Sequence, residues 1–228
     1  MNGRAPGPAG VLAILASWPR AQRGSLASSI CERAHGLLGG AATSLDPDEQ
    51  SSLEWVITLA EQHPDDPLVV APLVLRLYRL QPGQAMYLPH EVPHAYLAGV
   101  GVEIMASSDD VVRGGLTSKR VDSQALAGLL DPDATPLLEV PRVTLSPHEV
   151  RWQPPVPDFA LSRVVVSNVP VTLSQQPSDP VSPEVLLCLN GEVTVSSDGA
   201  DVGLRGGQST FLFASASPAV HRSCRTLV

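Results

Sequence analysis

Basic residues are in short supply. Fifteen Lys and Arg face 23 Asp and Glu in 228 residues, a formal net charge of −8. Proteins that hold nucleic acid or anionic lipid through their general surface need the opposite sign, so both classes are excluded. A pocket for one phosphate is not, because a few local Lys and Arg can build it. Cysteines number three (Cys31, Cys188 and Cys224), far apart and without a CxxC pair. That excludes a disulfide framework and a thiolate zinc site, and it suits a reducing cytoplasm. No stretch approaches the ~20 apolar residues of a membrane span. The apolar run Val11 to Ala16 is short and runs into Trp18-Pro19-Arg20, a weak match to a secretory leader. The chain reads as soluble and cytoplasmic.

Aromatics are also few, at 4%, whereas proline (22) and glycine (18) are plentiful. That balance favours short strands joined by turns over long helices. With 43% hydrophobic and 17% charged residues, the composition is ordinary for a globular protein, and the length allows one large domain or two modest ones. Up to about Leu75 the pattern is helical. In SLDPDEQSSLEWVITLAEQHP, Asp46 is placed to cap a helix, Pro47 takes its first position and Glu49 lies three after the cap. Leu53, Val56, Ile57 and Ala60 recur at helical spacing, and Pro64 closes the segment. A second helix can start at Asp66-Pro67, with Pro72 limiting it.

From Leu75 onward, short apolar runs are broken by PG, GG, NG and DG. LRLYRL, AMYLP, HAYLAG and GVEIMA read as strands. A proline-rich bridge, WQPPVPDF, leads to FALSRVVVS, VLLCLNGEVTVSSDGADVGL and QSTFLFA, with Asn190-Gly191 and Asp198-Gly199 as hairpin turns. The expected fold is mainly β with a small α part: a helical segment (1–74), then two jelly-roll-like β units (75–150 and 151–228).

One spacing occurs twice. Gly83 is followed by five residues, Pro89, and then His94 eleven positions after the glycine. This resembles the second half of a cupin metal motif, in which a turn glycine opens a strand, proline ends it, and the next strand aims histidine into the barrel. Glu91 stands where that motif has its second glycine. Counted from Gly207, the same frame passes Phe213 at the proline position and reaches Pro218 at the histidine position, so the second unit keeps the frame without the ligand. His221 is off register and reads as a surface histidine. A lone histidine beside an apolar run is as readily a packed ring as a ligand, and zinc needs three or four.

The run Val100 to Asp122, VGVEIMASSDDVVRGGLTSKRVD, is richer. It carries Glu103 on an expected strand, Asp109-Asp110, Arg113 just before Gly114-Gly115, and Lys119 in a polar loop. Arginine forks onto anionic oxygens and lysine supplies a point charge, so the set suits a polyhydroxylated, phosphorylated ligand. The bland alternative is a solvated loop with surface ion pairs. Joined to PHAYL, HAYLAGVGVEIMASSDDVVRGGLTSK closely resembles the type I mannose-6-phosphate isomerases (phosphomannose isomerases). LQPGQAMYLP before it, and FALSRV, LLCLNGEVTV and LRGGQSTFLFA after it, are similar to their C-terminal half. Residues from Val11 onward resemble that half and its helical insertion.

The resemblance implies metal-dependent interconversion of mannose 6-phosphate and fructose 6-phosphate. By position it makes His94 a zinc ligand and Arg113 the catalytic arginine, with Glu103 and Lys119 lining the sugar-phosphate pocket. Moving a proton between C1 and C2 through a cis-enediol builds negative charge on the carbonyl oxygen. An arginine, which keeps its charge, suits stabilising that oxygen better than acting as a base. Family members also carry a glutamine-x-histidine pair, a further glutamate ligand and an asparagine-histidine-lysine-proline-glutamate segment, none of which appears here. Three of four expected zinc ligands are thus outside this sequence, which begins about where the family's helical insertion would begin. Two expectations stand beside the isomerase: a non-catalytic cupin remnant that binds a sugar phosphate or a partner, and an interaction domain. The apolar helix face with Trp55 and Leu59 is expected to be exposed, through which the chain would associate with a missing N-terminal unit or with itself.

Overall fold

A computed structural model of the protein describes residues 7–40, 44–108, 110–130, 138–167, 170–173, 182–197, 199–213, 219–221 and 224–227. Asp109, Asp198 and Pro218 lie outside the described residues. The chain forms two compact units: one of residues 1–83, 88–101 and 107–137, the other of 84–87, 102–106 and 138–228.

The first unit is built on helices α1 (Pro8–Ala16), α2 (Arg23–Gly39) and α3 (Pro47–Gln62). The start of α3 follows its local signals. Asp46 Oδ1 accepts from the backbone N–H groups of Asp48 (2.9 Å) and Glu49 (2.8 Å). Glu49 Oε2 accepts in return from Asp46 N–H at 3.0 Å, a complete capping box. The buried stripe of α3 is Leu53, Val56, Leu59 and Ala60. Its Leu59, expected on an exposed face, is only 5% exposed. The reason is that Leu59 packs with Ala27 of α2 and Val69, so the helical unit covers this part of its own apolar face. After α3, Asp66 caps a single 3-10 turn, Pro67–Val70, followed by the short helix α4 (Ala71–Val74). Pro67 opens this stretch, and the chain extends at Leu75 soon after Pro72. A last helix, α5 (Ser123–Leu129), has Asp122 as its cap. The apolar N-terminal run is core: Leu12 and Ala16 of α1 are buried with Leu68 and Leu126. Among the described residues no helix is long and apolar enough to cross a membrane.

The second unit is antiparallel β. A two-residue strand β1 (Met86–Tyr87) pairs with β2 (Leu138–Glu139). Nine further strands, β3 (Arg142–Ser146), β4 (Glu149–Trp152), β5 (Leu161–Val164), β6 (Val171–Thr172), β7 (Glu184–Ser197), β8 (Ala200–Arg205), β9 (Ser209–Leu212), β10 (Ala219–His221) and β11 (Cys224–Leu227), form one sheet around β7. The core, including Val164, Leu186, Cys188, Val193, Val195 and Leu204, draws on alternate residues of the strands, as half-buried strands require. Ser197 pairs with Ala200, so only two residues join β7 to β8, and Gly199 has φ of 79°. Asn190-Gly191 is different from expectation. The strand runs through it, with Gly191 at φ 81°, and changes partners there: β9 pairs with residues 184–187, β8 with 192–197. Tertiary pairing turned a hairpin signal into a corner within one strand. The proline-rich stretch 153–160 likewise closes a hairpin, since Trp152 pairs with Leu161; prolines cannot donate to a ladder and are pushed to its end.

The order of helical segment then β structure is as expected, with more helix than anticipated. The stretch between Leu75 and Asp122 departs further. Of the four strands expected there, only AMYLP yields one, β1; LRLYRL, HAYLAG and GVEIMA are extended or irregular without a ladder. A strand exists only within a ladder, and among the described residues no ladder includes these three segments. Many of their apolar side chains are accordingly exposed, including Tyr78, Leu80, Tyr96, Val102, Ile104 and Met105.

Candidate active site

The segment leading to His94 keeps the turn that its spacing implies, but the strand expected to carry the histidine into a barrel is absent among the described residues. Gly83 has φ of 88°, left-handed, and turns the chain into β1. Glu91, at the position of the motif's second glycine, has φ of 65°, so a glycine-type conformation is kept by a residue with a side chain. Gly207, which opens the second copy of the frame, has φ of 87° and precedes β9. The two copies share a turn geometry as well as a count.

His94 itself is exposed. Its Nδ1 lies 2.9 Å from the Val92 carbonyl oxygen. A carbonyl only accepts, so Nδ1–H donates and the lone pair of the neutral ring is left on Nε2. Histidines that bind metal are commonly held this way, by a carbonyl on the other nitrogen. The Tyr96 ring meets the imidazole edge-on, centroids 5.9 Å apart and planes at 62°. Among the described residues, however, no three His, Cys, Asp or Glu side chains gather where they could hold a metal ion. His94 fits one ligand position, and the described residues do not complete a zinc site.

Arg113 and Lys119 are both exposed, and among the described residues no ion pair engages either side chain. Their loop is nevertheless anchored. Val112 packs on the cluster of Leu12, Ala16, Leu68 and Leu126. Leu116 packs there too and on the cluster of Ala27, Leu59, Ala60 and Val69, against which Leu97 also packs. The His94 and Arg113 segments thus each place a leucine, three residues beyond the candidate side chain, on one buried cluster. Lys119 N–H donates to Thr117 Oγ1 at 3.1 Å, tightening the turn that carries it. Glu103 is exposed in the second compact unit.

A residue the motif reading missed as part of the site is Asp66. Its Oδ2 accepts from the Leu116 N–H at 2.8 Å, and its Oδ1 accepts from Leu68 N–H at 3.0 Å and from Arg23 Nη2 at 2.9 Å. In sequence it reads simply as the cap before Pro67. The signal for more was the glycine pair just after Arg113, since adjacent glycines at helical or extended φ imply a close neighbour.

Against known proteins, the chain is 36% identical over 179 residues to mannose-6-phosphate isomerase of Escherichia coli (strain K12), a match covering 77% of this chain and 44% of that protein. It is 36% identical over 171 residues to mannose-6-phosphate isomerase of Bos taurus, covering 73% of this chain and 40% of the relative. Among solved structures, a lysine-to-alanine variant of phosphomannose isomerase from Salmonella typhimurium superposes with a TM-score of 0.75 at 28% identity, covering 96% of this chain and 54% of that one. The apo form of mannose 6-phosphate isomerase from the same organism gives 0.73, over 96% and 52%. No family model matches the chain. The chain spans less than half the length of the curated relatives it matches. In aligned sequence and in fold, the chain is similar to mannose-6-phosphate isomerases over part of their length.

Proposed function

We propose that this chain acts in the interconversion of mannose 6-phosphate and fructose 6-phosphate, carrying the part of the active site that lies between His94 and Lys119. The observation that carries this reading is the 36% identity to a mannose-6-phosphate isomerase over 77% of the chain. The local geometry supports it. An exposed guanidinium, without an ion-pair partner among the described residues, stands on a loop packed to a buried cluster, and Lys119 lies six residues beyond it. In this reading Arg113 stabilises the oxygen on which charge grows in the cis-enediol, and Lys119 contacts the substrate's polar groups. Zinc would take Nε2 of His94 as one ligand. Self-association would use apolar side chains exposed on the first compact unit, such as Tyr96 and Val100, rather than Leu59 of α3.

The test uses the full chain with zinc supplied. Fructose 6-phosphate binding is followed by calorimetry and isomerisation by a coupled assay, for wild type, Arg113→Ala and Lys119→Ala. Arg113→Ala is expected to lower turnover by about 100-fold or more while leaving the melting temperature unchanged, since the side chain is exposed. Absence of binding in the wild type, or binding and turnover indifferent to both substitutions, overturns the assignment. A second reading, a sugar-phosphate binder without catalysis, is favoured by the lack of a three-ligand cluster among the described residues. Binding that persists without turnover selects it.

A further inference from the structure

We infer that Asp66 is a positioning residue for Arg113, holding the backbone from which the guanidinium projects; this rests on the reading of Arg113 as catalytic. Leu116 has φ of 53°, a left-handed conformation unfavourable for a branched side chain. Such a backbone persists only where its surroundings hold it. Leu116 is held from both sides. Its side chain packs on two buried clusters, and its N–H is taken by Asp66 Oδ2 at 2.8 Å.

The carboxylate is itself fixed. Arg23 Nη2 donates to Oδ1 at 2.9 Å, and Arg23 Nη1 donates to the Ala16 carbonyl at 3.1 Å, at the end of α1. The Leu68 N–H bond ties Oδ1 to the 3-10 turn. The Asp66 side chain is 14% exposed and that of Arg23 18%, so solvent competes little for either. A capping role alone would need only Oδ1. The second oxygen reaches a loop 50 positions later in the chain. Gly115 makes the approach possible: a Cβ there would lie 2.7 Å from Oδ2 and would run into Leu68 Cδ1. Three elements of the helical unit therefore converge on one carboxylate, and that carboxylate fixes the peptide three residues from Arg113.

Amide hydrogen exchange on the full chain reads the anchor directly. In Asp66→Ala, the Leu116 amide is expected to exchange at least about tenfold faster, against much smaller changes in α2 and α3. Should that variant fail to fold, Asp66→Asn serves in its place, because one amide oxygen cannot serve all three donors. Turnover and fructose 6-phosphate binding supply the second readout. Loss of Asp66 lowers them in the wild-type background and adds nothing in Arg113→Ala, because both changes disable one group. An unchanged Leu116 amide, acceleration equal across all helices, or losses that multiply in the double variant overturns the inference. If the wild type neither binds nor turns over the sugar phosphate, the assignment of Arg113 falls, while Leu116 exchange still decides whether Asp66 anchors the loop.

Discussion

Adjacent glycines after Arg113 should respond to alanine unequally. Neither has a positive φ, so conformational freedom does not separate them. Space does. At Gly114 a Cβ would meet Leu126 Cδ2 at 3.2 Å, with the next neighbours at 3.8 and 3.9 Å. These are ends of leucine side chains, which can give by a few tenths of an ångström. The unfolded chain meanwhile loses freedom, worth about 0.4–1 kcal/mol in favour of the folded state. Gly114→Ala should therefore fall within about 0.5 kcal/mol of wild type. At Gly115 the same methyl runs into Leu68, 5% exposed and packed with Leu12, Ala16 and Leu126, and lies 2.7 Å from Asp66 Oδ2. Overpacking costs about 1–3 kcal/mol. Displacing Asp66 forfeits a hydrogen bond to a charged acceptor, worth about 1.5–3 kcal/mol. The two share one displacement and do not fully add, so after the entropic offset Gly115→Ala should destabilise by about 2–3 kcal/mol. Urea unfolding followed by far-ultraviolet circular dichroism, which reports the helical unit, measures both. Equal stabilities for the two variants would refute the steric account and the close approach of Asp66 with it.

Two further substitutions test local backbone. Asp46→Ala removes the two bonds accepted by the capping carboxylate, leaving only the Glu49 half of the box, and should lower stability by about 1 kcal/mol in the same urea experiment. Glu91→Gly replaces a side chain at φ 65°. The left-handed cost of about 1–2 kcal/mol disappears while glycine's extra freedom in the unfolded chain returns about 0.4–1, so the melting temperature should rise slightly. A fall would mean that the Glu91 side chain makes a contact outweighing its backbone.

How far the sequence reached depended on how local each cause was. The capping box of α3 needs four residues, all adjacent, and Asp46, Pro47 and Glu49 were enough to place it. The positive φ at Gly83 and Gly207 likewise followed from one turn and one spacing. Asn190-Gly191 misled because the choice between a turn and a corner is made by β9 and β8, elements beyond the dipeptide. HAYLAG and GVEIMA have strand composition, but strand formation depends on a partner edge, which no property of those six residues supplies. Leu59 was placed on an exposed face because its stripe was legible while its cover, Ala27 and Val69, was not. Asp66 was visible as a cap and invisible as an anchor, since its second acceptor is used 50 residues later.

The residues read as functional share a physical circumstance. His94, Arg113 and Lys119 stand on backbone that no ladder or helix orders, so their precision must come from point attachments. Each has one: the Val92 carbonyl for the His94 ring, Asp66 and Leu116 for the Arg113 loop, the Thr117 hydroxyl for Lys119. Point attachments fail singly, whereas a ladder shares its load among many bonds. A substitution at an attachment should therefore loosen one functional side chain and leave the fold standing, which makes Asp66 and Gly115 more informative sites for mutation than the core. It also explains why the anchored residues remain exposed: the loop is fixed from beneath through Leu116 and Val112, leaving the charged tips to meet a ligand.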